Sequence, residues 1–298
     1  MKKLLKAMTR ADKLVVKALL CVILMSGAIA CLTSCSQMEE PETMKDEPTQ
    51  VSITFSPYDM APMTRAATSI SGICTRLDVW ISDGETTTDI HQSSADDGFG
   101  SLSVSLNKTK TYTLTAVGHK ASGQATLTDG IITFPDEKVS HAMIYKTTFS
   151  PATTTSLSCL MQRIVGQLRF EIADQVPAEV YTMKFDFGSS YTRWNVTSDI
   201  GANAIARISQ FSNFSRANDG TAAFTLYVIP TNLTDTDQMD ITVTALTSTN
   251  DIIEQRTFAS VPIKAGYKTT YSGSFFVTTG ETAAFTVDDW STFDTINY

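Results

Sequence analysis

The sequence predicts an all-β protein built from two tandem antiparallel β-sandwiches, and two observations carry this prediction. Apolar and polar residues alternate with period two in many short runs, of which residues 51–55 and 77–81 are typical. Glycine-containing turns such as Asp83-Gly84 and Asp219-Gly220 separate these runs. Such alternation is typical of strands that bury one face, and glycine provides the conformations that tight reversals need.

The first 34 residues are typical of an export signal. Six basic residues accompany a short apolar run over 18–29, which is too short to cross the roughly 30 Å of membrane hydrocarbon. Small residues then lead to Cys35, and Leu32-Thr33-Ser34-Cys35 resembles the lipobox of bacterial lipoproteins, whose cysteine carries the lipid. Leu32 favours Cys35 over the alternative acceptor Cys31. We therefore expect a lipid on Cys35 to be the membrane anchor.

The mature chain divides into a tether and two predicted domains. Residues 35–49 are acidic, contain two prolines and lack apolar periodicity, so we expect a flexible tether. A proline- and threonine-rich stretch over 151–155 suggests a boundary between an N-terminal sandwich (50–155) and a C-terminal sandwich (156–298). Only residues 198–214 show a weak helical spacing of apolar residues.

The charge balance excludes one class of partner. Loss of residues 1–34 removes six of 23 basic and one of 31 acidic residues, which leaves 17 basic and 30 acidic residues and a net charge of −13. Binding to nucleic acid requires basic groups that neutralise phosphates, so we expect no nucleic-acid partner.

Motifs that would support catalysis are absent from the sequence. His91, His119 and His141 lie in separate segments without an acidic or cysteine partner at motif spacing. The cluster Asp235, Asp237 and Asp240 lacks the glycine and closing glutamate of a calcium loop, so a solvated turn is favoured. We therefore predict a protein that is not an enzyme and has no catalytic residue, metal site or cofactor.

The aromatic residues leave one alternative open. Trp80, Trp194 and Trp290 could form a sugar-stacking platform, although a place in the core or at its rim is favoured for all three. The alternative function is therefore a surface lipoprotein that binds a glycan or a host ligand. Whether Cys74 and Cys159 form a disulfide is left open by the sequence.

Arg65 lies in a segment that a trypsin-like protease could cut. It is flanked by small residues, follows a proline and precedes a stretch rich in serine and threonine. Cleavage after Arg65 would separate the predicted first strand, together with the lipid anchor, from the rest of the chain. The vacated sheet would offer unpaired backbone groups to a strand from another molecule. An uncut linker is the simpler alternative.

Four features of the sequence resemble the fimbrillin superfamily of Bacteroidales, the subunits of type V pili and their anchor proteins. They are the lipobox, the segment Thr64-Arg65-Ala66, the run Leu77–Ile81 before its glycine turn, and residues 160–170. The polar, acidic residues 36–40 also resemble the surface-export signal of Bacteroidales lipoproteins.

This resemblance implies two transthyretin-like sandwiches, location at the outer membrane and in the fimbrium, and β-strand exchange with other pilus subunits. It implies processing at Arg65 in polymerising members. The C-terminal tail, with Phe285, Val287, Trp290 and Phe293, is then the candidate donor strand, although its alternation breaks at Asp288-Asp289-Trp290. Anchor members are not cut and keep their lipid, which in this chain would be on Cys35. Tip members need no donor tail. Whether this chain is a shaft or accessory subunit, a tip subunit or the membrane anchor stays open.

Overall fold

A computed structural model describes residues 47–58, 69–277 and 285–289, and this part of the chain is nearly all β, as predicted. Two 3₁₀ turns, Ile70–Gly72 and Pro135–Glu137, interrupt the strands. The strands of the N-terminal half are β1 Pro48–Pro57, β2 Arg76–Ser82, β3 Thr87–Ser93, β4 Ser101–Asn107, β5 Tyr112–His119, β6 Thr126–Thr128, β7 Ile131–Thr133, β8 Ala142–Phe149 and β9 Ser156–Arg163. Those of the C-terminal half are β10 Gly166–Ile172, β11 Thr182–Asp186, β12 Ser190–Asn195, β13 Ile200–Ile205, β14 Ile208–Ser212, β15 Ala222–Val228, β16 Asp237–Leu246, β17 Ile252–Ile263, β18 Tyr267–Gly273 and β19 Phe285–Asp289.

The first sandwich is one seven-stranded sheet folded on itself, with strand order β3-β2-β5-β8-β9-β1-β4. Its two arms are joined where β8 pairs with the end of β9, at Met143↔Arg163 and Ile144↔Gln162, and the Ile164 N–H donates to the Ala142 carbonyl oxygen at 3.1 Å beside them. Alternate residues of both arms point inward and form one buried apolar core, as period-two patterning requires. Among them are Val51, Ile53, Leu77, Val79, Leu114 and Cys159.

The second sandwich packs two four-stranded sheets, β15-β10-β18-β19 and β14-β11-β16-β17, around a core rich in aromatic residues. Phe170 of β10 lies at the centre of this core. Its ring stacks on Tyr271 at 4.3 Å between centroids and meets Phe258 edge-on at 5.2 Å. Offset and edge-to-face ring contacts of this kind add to the stabilisation from burial.

Both sandwiches place their first strand in the same way. β1 pairs antiparallel with β4 and parallel with β9, while β10 pairs antiparallel with β15 and parallel with β18. In each case the first strand lies between an antiparallel neighbour and the last long strand of its own half. The two halves are therefore similar in topology. They differ in the second neighbour of the last long strand, which is β8 for β9 and β19 for β18.

A small third sheet, β13-β12-β7-β6, is built from both halves of the chain. β7 pairs with β12 through Trp194↔Ile132 and its two neighbours in register. The side chains on its inner face, with Trp80 and Val117 from the outer face of the first sheet, form a separate buried cluster. This cluster ties the N-terminal half to the C-terminal half.

Residues 198–214 are strands, so the weak helical spacing seen there was a wrong indication. They form β13 and β14, each at the edge of its sheet. Ile200, Ile205 and Ile208 are all exposed, which is why their positions do not follow a simple inward-outward alternation. The predicted domain boundary after residue 155 stays a prediction; β9, which follows it, belongs to the first sheet.

The aromatic core of the second sandwich generates a stability prediction. Phe170→Ala should lower the free energy of unfolding by about 3–5 kcal/mol, because it removes a ring that is 1% exposed and leaves a cavity among four aromatic neighbours. Val277→Ala is the control, since Val277 is 56% exposed and its truncation should cost less than about 0.5 kcal/mol. Urea denaturation measures both. A loss below about 1 kcal/mol for Phe170→Ala would show that the core repacks around the gap.

Candidate functional site: the first strand and the C-terminal strand

The first strand fills a slot between two other strands. In register, β1 runs from Pro48↔Asn107 to Thr54↔Ser101 along β4 and from Ser52↔Ser156 to Pro57↔Met161 along β9. Its backbone amides also donate to neighbouring segments: Ser52 N to Thr155 O at 2.9 Å and Phe55 N to Gly100 O at 2.8 Å. Both backbone edges of β1 are thus satisfied within the sandwich.

The inward side chains of β1 contribute a large share of the first core. Val51 and Ile53 are fully buried, and Phe55 is 5% exposed. At about 1.5–3 kcal/mol for each buried side chain, the three together contribute about 5–9 kcal/mol. Whole domains are stable by only about 5–15 kcal/mol. The first sandwich therefore depends on having a strand with three apolar side chains in this slot.

The residues predicted to be lipidated and to be cut by a protease, Cys35 and Arg65, lie outside the described residues. Cys35 precedes β1, and Arg65 falls between β1 and the 3₁₀ turn at Ile70–Gly72. Their predicted roles in lipidation and processing stay predictions. A cut in that segment would separate β1, which lies between β4 and β9, from the chain that follows.

The two cysteines of the first core are free thiols, which answers the question that the sequence left open. Cys159 lies on β9 directly opposite Phe55 in the register, and Cys74 lies beside Gly118 and Ile70. Burial raises the pKa of each thiol to about 12; for Cys74 the positive charges of Lys120 and Arg163 oppose this shift. Both are therefore unreactive thiols in the folded state.

The C-terminal strand β19 occupies an edge of its own second sandwich. It pairs antiparallel with β18, from Tyr267↔Asp289 to Tyr271↔Phe285. The Phe285 ring contacts Tyr271 and Phe258 at 5.6 and 5.9 Å between centroids, whereas Val287 is 43% exposed. Of the four predicted donor residues, Phe285 and Val287 thus lie on one short edge strand; Trp290 and Phe293 lie outside the described residues.

An aspartate fixes the point at which the chain leaves β18. The Asp174 carboxylate accepts hydrogen bonds from the backbone N–H groups of Phe275, Phe276 and Val277 at 2.7–2.8 Å. Three charge-assisted bonds to consecutive amides hold this segment firmly. The segment 275–277, which follows β18, is therefore fixed to the loop after β10.

The tryptophans do not form a solvent-facing platform in the described structure. Trp194 is fully buried and Trp80 is 4% exposed, and both belong to the cluster between the first sheet and the small sheet. A sugar ring therefore cannot stack on Trp194, as the glycan-binding alternative would require. For Trp80 and Trp194, the place in the core that the sequence favoured is confirmed. Trp290 lies outside the described residues.

Two of the three histidines converge on one buried carboxylate, which the sequence did not reveal. Asp78 of β2 is fully buried, and its oxygens lie 2.7 Å from His91 Nδ1 and 2.8 Å from His119 Nε2. The Ala125 N–H also donates to Asp78 at 2.8 Å. Because His119 Nδ1 accepts a hydrogen bond from the Ala121 N–H, its proton is on Nε2 and points at Asp78.

This network controls the ionisation of Asp78. Burial acts to raise the pKa of the carboxyl group, but the hydrogen bonds from His119, Ala125 and His91 outweigh it and hold that pKa below its ordinary value. A charged residue within the alternating run of β2 was the only sequence signal of such a site. Its histidine partners are 13 and 41 residues away along the chain. Within the described residues, no group of three or more metal-ligating side chains could hold a metal ion.

His141 is buried separately, beside an arginine. Its Nδ1 lies 3.3 Å from the Ile73 carbonyl oxygen, and Arg163 Nε donates to its Nε2 at 3.1 Å. Burial, together with the positive charges of Arg163 and Lys120, lowers the pKa of His141 to about 3, although the bond to Ile73 opposes this. His141 is thus a neutral core residue that helps to satisfy Arg163.

The aspartate cluster near residue 235 is only partly the turn that the sequence favoured: Asp235 lies in the turn, whereas Asp237 and Asp240 belong to β16. Asp237 Oδ2 accepts from the Thr231 N–H at 2.6 Å, and Asp235 Oδ2 accepts from the Asn232 side chain at 2.8 Å. Asp240 Oδ1 accepts from the Ser260 N–H at 2.9 Å. The three carboxylates therefore bind different partners.

Among the described residues, no helix has the length and apolar character needed to span a membrane. No family model matches the sequence, and no curated protein sequence matches it either.

Solved structures do match the fold. A candidate polysaccharide-binding protein from Bacteroides thetaiotaomicron aligns with a TM-score of 0.51 and 11% identity over 81% of this chain and 96% of its own. A candidate adhesin from the same organism aligns with a TM-score of 0.49 and 11% identity, covering 82% and 97% of the two chains. The fimbrial anchor protein Mfa2 from Porphyromonas gingivalis aligns with a TM-score of 0.43 and 11% identity, covering 82% and 98%.

Each of these three structures has 11% sequence identity to this chain. At such low identity they establish the shared fold alone, and those with TM-scores below 0.5 add no argument of their own. The proteins are described as binding, adhesion or fimbrial proteins rather than as enzymes.

The slot occupied by β1 generates a labelling prediction. Phe55→Ala should increase the rate of thiol labelling of Cys159 at least about tenfold, because it opens the core directly opposite that thiol and weakens the hold on β1. Labelling of Cys74 should change less than about twofold if opening is confined to the β1 slot. Peptide mapping by mass spectrometry resolves the two sites.

Thr54→Ala is the matched control, since Thr54 is exposed on the opposite face of β1. An equal rise at both thiols in Phe55→Ala would indicate global unfolding instead, and no rise at Cys159 would show that β1 is not the cover of this thiol.

His141 generates a pH prediction. The unfolded chain protonates this histidine near pH 6.5, whereas the folded chain does not until about pH 3. Stability should therefore fall as the pH falls below about 6.5, by about 2 kcal/mol between pH 7 and pH 5. His141→Gln should remove most of this dependence, while Asp78 stays ionised throughout that range.

Denaturant unfolding at pH 7, 6 and 5 measures the effect, with Lys138→Gln as a control that removes an exposed positive charge and keeps His141. Equal pH dependence in the wild type and His141→Gln would show that His141 is not buried in its neutral form.

Proposed function

We propose that this chain is a structural, non-enzymatic subunit of a cell-surface fimbria that assembles by β-strand exchange and supports adhesion. The observation that carries the proposal is the position of β1 in a slot between β4 and β9, with three apolar side chains buried in the core. A strand in this position can be exchanged for one of equivalent pattern from a neighbouring subunit. The fold shared with the B. thetaiotaomicron protein supports the architecture that the proposal needs.

Removal of β1 would create two requirements at once. β4 and β9 would each lose the backbone partners of one edge, and the first core would lose Val51, Ile53 and Phe55. Unpaired edge groups and exposed apolar surface are both costly in water. A replacing strand must therefore supply backbone hydrogen bonds and an alternating apolar face together, which makes the slot selective for a strand of this kind.

The C-terminal tail is the proposed donor to a neighbouring subunit. Phe285 and Val287 share one face of β19, with the same two-residue spacing as Val51 and Ile53. β19 has one strand neighbour, and Thr286, Val287 and Asp288 are exposed. Trp290 departs from the alternation and Phe293 returns to it. The proposed donor therefore matches the slot over its first three residues.

The segment that joins β1 to the rest of the fold separates the two versions of the proposal. In the shaft or accessory version, cleavage after Arg65 releases β1 together with the lipid on Cys35, and the slot then accepts a donor. In the anchor version the segment stays intact, so the chain remains bound to the outer membrane through Cys35. Other pilus subunits are the partners in both versions.

Arg65→Ala tests these versions. In a processed subunit it should prevent release of β1, leave the mature chain beginning at the lipidated Cys35, and reduce the amount of this subunit in sheared fimbriae at least about tenfold, because the slot stays filled. Arg65→Lys is the matched variant: it should behave like Arg65→Ala if the protease is specific for arginine. N-terminal sequencing of sheared and membrane-bound material measures the outcome.

In the wild type, a mature N-terminus at Ala66 supports the processed subunit, and one at Cys35 supports the anchor. Unchanged assembly and an unchanged N-terminus in Arg65→Ala would rule out the processed version and favour the anchor. An N-terminus at neither position would contradict both.

A further inference from the structure

We propose that a polar cleft on the outer face of the first sheet binds a neutral saccharide, a function separate from assembly. The cleft lies between this face, formed by β2, β3, β5 and β8, and two turns of the small sheet that precede β7 and follow β12. Its volume is about 590 Å³. Pockets for small ligands usually measure roughly 300–1,000 Å³, so one or more sugar units would be accommodated.

Hydroxyl groups dominate the lining of the cleft. They come from strands and turns on both walls. The Ser82 hydroxyl donates to the Thr86 carbonyl oxygen at 3.2 Å, and Thr113 Oγ1 lies 3.5 Å from Thr148 Oγ1. A hydroxyl oxygen engaged in this way can still accept a hydrogen bond from a polyhydroxyl ligand. The residues are Ser82, Thr87, Thr111, Thr113, Thr115 and Thr197.

The charged residues of the cleft argue for a neutral ligand. Asp83 is committed to its own turn and to Lys110, and Lys146 donates to the Val196 carbonyl oxygen at 2.9 Å. The carboxylate side chains of Asp89 and Asp129 line the cleft and have no hydrogen-bond or salt-bridge partner among the described residues. Two available carboxylates and one occupied ammonium group disfavour an anion. Carboxylates are, in contrast, strong acceptors for sugar hydroxyls.

The floor of the cleft is apolar, and its second wall is held in place. Trp80, Leu127 and Val196 line it, which suits the C–H face of a sugar ring. In the wall, the Val196 N–H donates to the Gly130 carbonyl oxygen at 2.8 Å. A Cβ atom on Gly130 would lie 2.6 Å from Thr197 Oγ1, and Gly130 has a φ of +75°, so only glycine allows this close approach. The two turns are therefore fixed to each other, and the cleft is preformed.

This cleft differs from the expected tryptophan platform. Trp194 takes no part in its lining, and Trp80 contributes to its floor while only 4% exposed. Recognition would rest on hydroxyl and carboxylate groups, with Asp89 and Asp129 as the strongest acceptors.

The test is binding of the chain to neutral polysaccharides (dextran, mannan and laminarin) and to heparin as a polyanion, measured by affinity electrophoresis and calorimetry. The wild type should bind at least one neutral polysaccharide and bind it in preference to heparin. Asp89→Ala should weaken binding at least about tenfold, because a hydrogen bond to a charged group is lost. Thr113→Val should weaken it as well, while keeping the shape of a β-branched side chain.

Asp97→Ala is the matched control, since Asp97 is an exposed acid in a turn outside the cleft. Unfolding midpoints within about 1 °C of the wild type would show that the variants fold. The proposal is overturned if no neutral polysaccharide is retained, if heparin is preferred, or if Asp89→Ala and Thr113→Val bind as Asp97→Ala does. Fimbrial assembly should be unchanged in Asp89→Ala, so failure here leaves the proposed assembly function standing.

Discussion

The burial of Val51, Ile53 and Phe55 by a strand that pairs with both β4 and β9 is the interaction on which the first sandwich depends. Backbone pairing and core packing are satisfied by the same ten residues, so neither can be lost alone. Their apolar contribution is comparable to the whole stability of a typical domain. Loss of this strand would therefore be tolerable only if another strand took its place, which is the physical basis of the proposed strand exchange.

The second sandwich places its first strand in the same way, but that strand is joined to folded chain at both of its ends. β10 lies between β15 and β18 as β1 lies between β4 and β9, but folded chain continues from both ends of β10. Ile164 and Val165, just before it, are buried in the cluster beneath the small sheet. One backbone cut after β1 would free that strand, whereas β10 would need two. We therefore assign the proposed exchange to the first slot.

The cluster beneath the small sheet gives the two halves a shared core. β6 and β7 come from the N-terminal half and β12 and β13 from the C-terminal half, and Trp194 lies fully buried between them. Asp78 and Trp80 lie on the outer face of β2, where Asp78 meets His91 of β3 and His119 of β5. A buried carboxylate with satisfied hydrogen bonds specifies one arrangement of the surrounding strands more strictly than apolar contacts alone. The polar cleft is built on this same outer face.

The sequence alone was sufficient for the all-β class, for most of the strands and for the inward faces of β1 and β2, because the alternation of apolar residues is local and depends only on burial of one face. It misled at β13 and β14, where exposed edge positions carry isoleucines. Only the tertiary structure decided that β1 lies next to β9, that Cys74 and Cys159 stay free, and that Asp78 meets His91 and His119. These contacts join residues 13 to more than 100 positions apart, and the order of strands in a sheet, which no local pattern encodes, determines which of them meet.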